Sequence, residues 1–557
     1  MVACSNSPRL LWLALALGLV GVKAPAAPQL ADVSSTTPAG GNRIAGTVVS
    51  KNDGRPLAGA RVTIRDPKDF QKFEFMVTSE DGKYQFTGLP AGKYALSGGK
   101  PGFISASYDE HDRYSTAIVT GAGLDTETLV LRLAPDGVIA GKVLDEAGDP
   151  VRQATVTLYY DDHSSGVDQI RPFSSSQTDD LGEYELTPLR PGTYFLSVSG
   201  KPWYAIHPSS EPAYPDQPGE GPQMVDRSLD VAYQVTYYPD VTEADEAMPI
   251  PIRGGDRVQA DFHLNPVPSL HLIFRMPDVG KNTLFVPQLQ QPAFDGYTVQ
   301  NPMTRRFPSG LMEVTGIPAG RYNIRLRGPD AVLQMNGVDL TRDGEEIDTS
   351  RSEALSTVKV SLKIAGEATL PPRLAVALRS GNRLVSAYQS FDSRGEAELP
   401  PVAPGTYEVA VLGGVKPYSI AHISAEGARI SEHSIAVTEG SSPSISLTVV
   451  SGNAEIRGTI TKAGKGFAGA MVVLVPKNPE VDHDLFRRDQ SDLDGTFLLR
   501  GVVPGSYTIL SIENGWDLDW SQPGVIAAYL KRGRKIEAGN RGGAPLNIAD
   551  PIEVQSK

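Results

Sequence analysis

Short alternations of apolar and polar residues run through this chain, and they recur as one fixed unit. Tyr84 and Phe86 flank Gln85, and Tyr184 and Leu186 flank Glu185. A period of two predicts a strand with one buried face. Each alternation follows a glycine, and a second glycine lies ten residues on, followed two positions later by tyrosine. The five copies are Gly82, Gly92 and Tyr94; Gly182, Gly192 and Tyr194; Gly310, Gly320 and Tyr322; Gly395, Gly405 and Tyr407; and Gly495, Gly505 and Tyr507. The first glycine sits in a turn that needs positive φ, and proline beside the second presets another turn. The tyrosine opens the next strand, as in Tyr194-Phe195-Leu196-Ser197-Val198. Each unit is therefore expected to be a β-hairpin, with the second glycine supplying a permissive turn position.

A lone hairpin is marginal in water, so further strands must accompany it. Upstream lie Arg43 to Val49 and Ala58 to Ile64, Val138 to Val143 and Ala154 to Leu158, and Ile456 to Ile460 and Gly469 to Leu474. The third and fourth copies blur this opening, which starts near Leu270 and Val358. Closing strands follow, such as Leu129 to Leu133 and Ile445 to Val449. Six or seven short strands per unit predict an all-β chain, a tandem array of about five antiparallel Greek-key β-sandwiches. The expected divisions are module one at 42–135, module two at 136–267 with a Pro-rich insertion at 201–235, module three at 268–356, module four at 357–452 and module five at 453–557. Short boundaries such as Ala134-Pro135-Asp136 suggest a semi-rigid string.

Length alone, 557 residues, predicts about 3.7 domains, so the repeat raises the number. The 56 Gly and 44 Pro fit many turns. A net charge of −13 makes nucleic-acid binding a poor expectation, because that needs clustered basic charge.

Residues 1–26 read as a signal peptide and 27–41 as a linker. Leu10 to Val22 is an apolar run too short to span a bilayer comfortably, and Ala24-Pro25-Ala26 offers a cleavage site. Cys4, the single cysteine, would leave with this segment, so the exported chain holds its fold without disulfides. No later segment is apolar enough for a membrane helix, and the expected location is periplasmic, extracellular or cell-surface.

Ala45-Gly46-Thr47-Val48, Pro56-Leu57-Ala58-Gly59-Ala60-Arg61-Val62, Thr78-Ser79-Glu80-Asp81-Gly82-Lys83-Tyr84 and Leu89-Pro90-Ala91-Gly92-Lys93-Tyr94 together resemble the carboxypeptidase regulatory-like domain. Modules two and five resemble it almost as well, and modules three and four only in the repeated unit. The resemblance implies a transthyretin-like (prealbumin-like) seven-stranded Greek-key sandwich, grouped near carbohydrate-binding-like folds and the Cna B-type modules of bacterial adhesins. It also implies an accessory module that brings no catalytic residues.

Motifs of catalysis are absent from the sequence: no His-x-x-Glu zinc pair, no Gly-x-Ser-x-Gly elbow, no P-loop and no dinucleotide fingerprint. The chain is read as not an enzyme, with no cofactor and no metal. Three acidic clusters carry a histidine: Asp109-Glu110-His111-Asp112, Asp161-Asp162-His163 and Asp482-His483-Asp484. Adjacent loop residues rarely converge on one ion, so these are read as solvated loop charge. Lys142 or Lys462 could supply the amine of a self-formed isopeptide bond, but no module shows the full set of partners.

Aromatic platforms are the candidate binding residues, because sugars stack on Trp and Tyr. Trp203 and Tyr204 open the Pro-rich insertion, Tyr237 and Tyr238 follow it, and Trp516 and Trp520 lie past the Tyr507 strand. The plainer reading, favoured here, is that they plug the open end of each sandwich. The sequence thus predicts a non-catalytic exported protein with a binding or structural role, its partner a carbohydrate or a cell-envelope protein. The alternatives are an accessory subunit of an extracytoplasmic peptidase or polysaccharide-degrading system, and a passive cell-surface spacer.

Overall fold

The computed structural model describes residues 41–557 except 67–68, 164–165, 167–168, 209–225, 276–284, 301, 308–310, 329–331, 368, 382, 414–416 and 540–543. The expected signal peptide at 1–26, the expected linker except residue 41, Gly310 and the middle of the Pro-rich insertion lie outside the described residues.

Module one sets the pattern. Its opening strand Asn42–Ser50 lies between Lys83–Leu89 and the closing strand Leu129–Leu133 in one sheet. The facing sheet joins Asp69–Val77, Arg61–Asp66 and Gly92–Gly99. Ile44, Val48, Val62, Ile64, Phe86, Leu96 and Leu131 fill the space between, each buried. The polar residues between them face outward, as the alternation requires.

The repeated unit is not a hairpin, which corrects the sequence expectation. Lys83–Leu89 pairs with the opening strand and Gly92–Gly99 with Arg61–Asp66, so the chain crosses from one sheet to the other at Pro90-Ala91. Modules two to five cross in the same way. A hairpin and a sheet-to-sheet corner share the strand–turn–strand pattern, so alternation cannot separate them. The tyrosine ties the corner. Its hydroxyl donates to the carbonyl four residues earlier: Tyr94 to Pro90 at 3.1 Å, Tyr194 to Arg190 at 2.8 Å and Tyr322 to Pro318 at 2.9 Å. Tyr407 to Ala403 at 2.7 Å and Tyr507 to Val503 at 2.8 Å complete the set. A tyrosine bonding back to upstream backbone at such a corner is a known device of sandwich folds.

The two glycines also differ in role. Gly82, Gly182, Gly395 and Gly495 have φ between +71° and +82°, and a Cβ there would meet an opening-strand carbonyl at 2.5–2.8 Å. The second glycine of each unit is not left-handed. At Gly320 and Gly405 a Cβ would press at 3.3 and 3.0 Å on the tyrosine two residues ahead, so what glycine supplies there is room.

Pairing among the described residues is antiparallel except where the chain closes, and in module five Gly505–Glu513 also runs parallel to Gln555–Ser556. In every module the opening strand runs parallel to the closing strand, as in Gly46↔Leu129 and Val360↔Ile445. Modules three and four share this wiring although their opening sequences are blurred. The opening strand of module three is Pro266–Arg275, so the boundary expected at 267/268 falls inside it. Val231–Tyr233, from the insertion of module two, adds to that strand's sheet.

The modules do not form a string whose members touch only their neighbours. Phe294 of module three packs on Tyr159 and Phe195 of module two, with centroids at 4.8 and 5.1 Å. Arg325 donates to the Pro401 carbonyl at 2.7 Å between modules three and four. Arg379 meets Asp484 at 2.9 Å between modules four and five. Module five then returns to module one, where Leu493 N–H donates to the Ala117 carbonyl at 3.1 Å. The array closes on itself.

Candidate functional site

Trp203 and Tyr204 follow the post-corner strand Gly192–Ser199 of module two. Trp203 is 85% exposed, and its ring stands edge-on to Tyr204 with centroids at 5.8 Å. The Tyr204 hydroxyl donates to Glu146, while burial first and that carboxylate second push the phenol up to about 12. Tyr233 approaches the other Glu146 oxygen at 3.5 Å. Trp203 therefore projects from a neighbour held in place. Tyr237 is buried, its ring edge-on to Phe294 at 5.6 Å, and Tyr238 packs half-buried against Phe262.

In module five, Trp516 and Trp520 pack on a second small core of Met471, Val473, Val475, Phe486, Leu510, Ile512 and Ile526. The α-helix Pro523–Leu530 contributes Ile526 to it. Trp516 also stacks on His111 of module one, with centroids 4.9 Å apart and planes 7° from parallel. Its Nε1 donates to the Gly469 carbonyl at 3.2 Å. Of the six candidate aromatics, the structure leaves Trp203 with the most open surface and draws the two of module five into a junction.

Sequence reasoning missed the residues that build this junction. Arg488 is buried beneath three rings, 4.3 Å from the centroid of Trp520, 5.2 Å from Tyr114 and 5.5 Å from Trp516. It donates to Asp112 of module one at 2.9 Å. Gln490 donates to the Asp109 carbonyl at 2.6 Å and to Thr116 Oγ1 at 2.8 Å. Lys93 pairs with Asp492 and donates to Thr496 Oγ1 at 2.7 Å. Arg488, Gln490 and Asp492 alternate along and beyond the strand Arg487–Gln490, on the face where apolar residues would be expected. A polar residue on an inward face was the available signal.

The acidic histidine clusters are likewise corrected. They are parts of junctions and not simply solvated loop charge. His111 and Asp112 belong to the contact of modules one and five, and Asp484 to that of modules four and five. Asp162 pairs with Arg171, and His163 lies 4.0 Å from Asp519 of module five. Among the described residues no group of three or more His, Cys, Asp or Glu is placed to hold a metal ion.

Asp489 lies between Arg488 and Gln490 on the same strand. Burial pushes its carboxyl up to about 6, against the hydrogen bond it accepts from Leu498 N–H at 2.7 Å. The unfolded chain binds this proton only near 3.8, so between pH 4 and 6 the native state holds more protons. Stability from this group therefore rises as pH falls through 6, by at most about 3 kcal/mol. Asp489→Asn is expected to abolish that rise. Thermal unfolding of both proteins between pH 7 and 5 checks it, and identical profiles would refute it.

Two clefts open beside these contacts. One, of about 1380 Å³, lies between modules one and five, and another, of about 1090 Å³, lies where modules one, two and five meet. The chemistry on offer is stacking, hydrogen bonding and charge, the means of recognition.

Residues 43–131 and 138–206 match the family model of the carboxypeptidase regulatory-like domain. Segments of modules one and two are therefore similar to that domain. Trp203 and Tyr204 thus fall inside the second matched regulatory-like segment, and His111 and Asp112 inside the first. No curated protein matches the chain. Among solved structures, the Bacillus anthracis TIE protein is 11% identical over 74% of this chain and 73% of its own, with a TM-score of 0.17. A streptococcal ancillary pilin is 12% identical over 55% of this chain and 98% of its own, at 0.20. GBS52, the minor pilin of Streptococcus agalactiae, is 16% identical over 43% of this chain and 99% of its own, also at 0.20. Among the described residues no helix is long and apolar enough to cross a membrane.

Proposed function

We propose that this chain is an exported, non-catalytic recognition protein that takes carbohydrate on an aromatic platform of its second regulatory-like module. The observation that carries the reading is the open indole of Trp203, 85% exposed beside a Tyr204 tethered to Glu146. An open indole offers a face to the apolar side of a sugar ring, and Glu146 lies near to accept hydroxyl hydrogens. The apolar run Leu10 to Val22 with Ala24-Pro25-Ala26 supports export.

A glycan array with the exported chain, followed by calorimetry on the best sugar, tests this. Trp203→Ala is expected to weaken binding about tenfold to a hundredfold. Binding that ignores this substitution, or no binding to any glycan, would sink the platform. Hydrolysis of a glycan or peptide by the purified chain would overturn its non-catalytic character.

A further inference from the structure

We propose that the cleft at the meeting of modules one, two and five binds an anionic oligosaccharide of the uronate type. The inference is independent of Trp203, which does not line this cleft. The cleft holds about 1090 Å³, the upper end of the range for small-molecule sites, so it suits a chain of several rings better than a simple ion.

Its spare charge is positive, although the protein carries −13 overall. Lys51, Arg113 and Arg132 line the cleft, and none has a carboxylate ion-pair partner among the described residues. The acids on the same wall are mostly engaged. Glu110 meets Arg190 at 3.1 Å, Asp112 meets Arg488 at 2.9 Å, and Asp162 and Asp517 pair with Arg171 and Lys557. Asp109 accepts from Thr116 Oγ1 at 3.0 Å. Arg113 lies over the Tyr114 ring and donates to its hydroxyl at 3.3 Å, so a ligand carboxylate entering here meets chiefly Lys51 and Arg132, and such charge-assisted bonds are the stronger kind.

The wall is also suited to sugar rings. Tyr108 and Tyr160 line it half-buried, and Arg132 lines the same cleft. Aromatic surface flanked by guanidinium can hold an uronate by its ring face and its carboxylate together.

Calorimetry of the exported chain with trigalacturonate, with neutral maltotriose and with inorganic sulfate tests the proposal. Trigalacturonate is expected to bind, and to bind less tightly as salt rises. Arg132→Gln and Lys51→Gln, both at exposed positions, are each expected to cost about tenfold in affinity, as loss of one charge-assisted contact implies. Thermal midpoints should be unchanged, and Trp203→Ala should leave trigalacturonate binding intact. Equal affinity for maltotriose, no binding of trigalacturonate, or indifference to both variants would overturn the proposal. Sulfate binding as tightly as the trisaccharide would overturn its sugar part. Failure of the Trp203 platform with trigalacturonate still bound would remove the proposed function and leave this inference standing.

Discussion

Gly141→Ala is expected to unfold module two, at a cost of at least about 3 kcal/mol, the upper end of what overpacking a core produces. Gly141 lies in the opening strand Gly137–Leu144, where the returning chain passes alongside. A Cβ at this position would stand 1.9 Å from the Ala260 carbonyl oxygen and 2.6 Å from its carbon. That oxygen cannot step aside cheaply, because it accepts the Tyr184 hydroxyl at 2.5 Å and Ala260 N–H is bound to the Ala140 carbonyl at 2.8 Å. Shifting it would break both bonds inside the sandwich, where unmade hydrogen bonds are costly. Gly46 holds the same place in module one, with a Cβ 2.0 Å from the Leu129 oxygen. The control is Gly148→Ala. Gly148 has φ +83° but open space around it, so alanine should cost only about 1 kcal/mol of backbone strain. Urea unfolding followed by hydrogen exchange within residues 137–144 separates the two. A Gly141→Ala protein as stable as the Gly148→Ala protein would refute the close-approach argument.

Arg488→Ala is expected to release module one from module five at a cost of about 2–4 kcal/mol. The substitution removes a desolvated cation from three ring faces, deprives Asp112 of its partner and opens a space beneath Trp520. The main cores lie apart from this position, so they should survive. The expected signature is faster hydrogen exchange at residues 107–117 and a larger radius by small-angle scattering, with strand protection in module five retained. Arg488→Lys should rescue little, since an ammonium cannot lie flat against an indole while bonding to Asp112. An unchanged radius would show that the remaining contacts suffice.

The sandwich class was legible because alternation and turn residues act over a few positions. The five glycine–glycine–tyrosine units could be counted by eye, and the four first glycines among the described residues do have positive φ. What the pattern could not supply was partnership. Tyr84-Gln85-Phe86 looks the same whether the next strand lies beside it or across the sandwich from it. The deciding contact is a tyrosine hydroxyl reaching a carbonyl four residues back, which alternation does not encode. The candidate aromatics were equally ambiguous. Trp516 and Trp203 occupy similar places after similar strands, but His111 from a module some 400 residues earlier stacks on the first, and nothing comparable among the described residues covers the second. Arg488 and Gln490 were overlooked because a charged residue on a strand is ordinarily a solvated one.

The return of module five to module one has a mechanical consequence. Lys93 and Asp492 are 399 residues apart along the chain, yet they pair directly. Tension applied between the first and last modules would be borne by the junction this pair belongs to, which joins them directly, before the covalent path through modules two to four was drawn taut. The junction would give way first, by shear of side-chain contacts and not by unzipping of a sheet. The three middle modules would then be drawn out as intact beads, so the protein would lengthen in one abrupt step before any sandwich lost a strand.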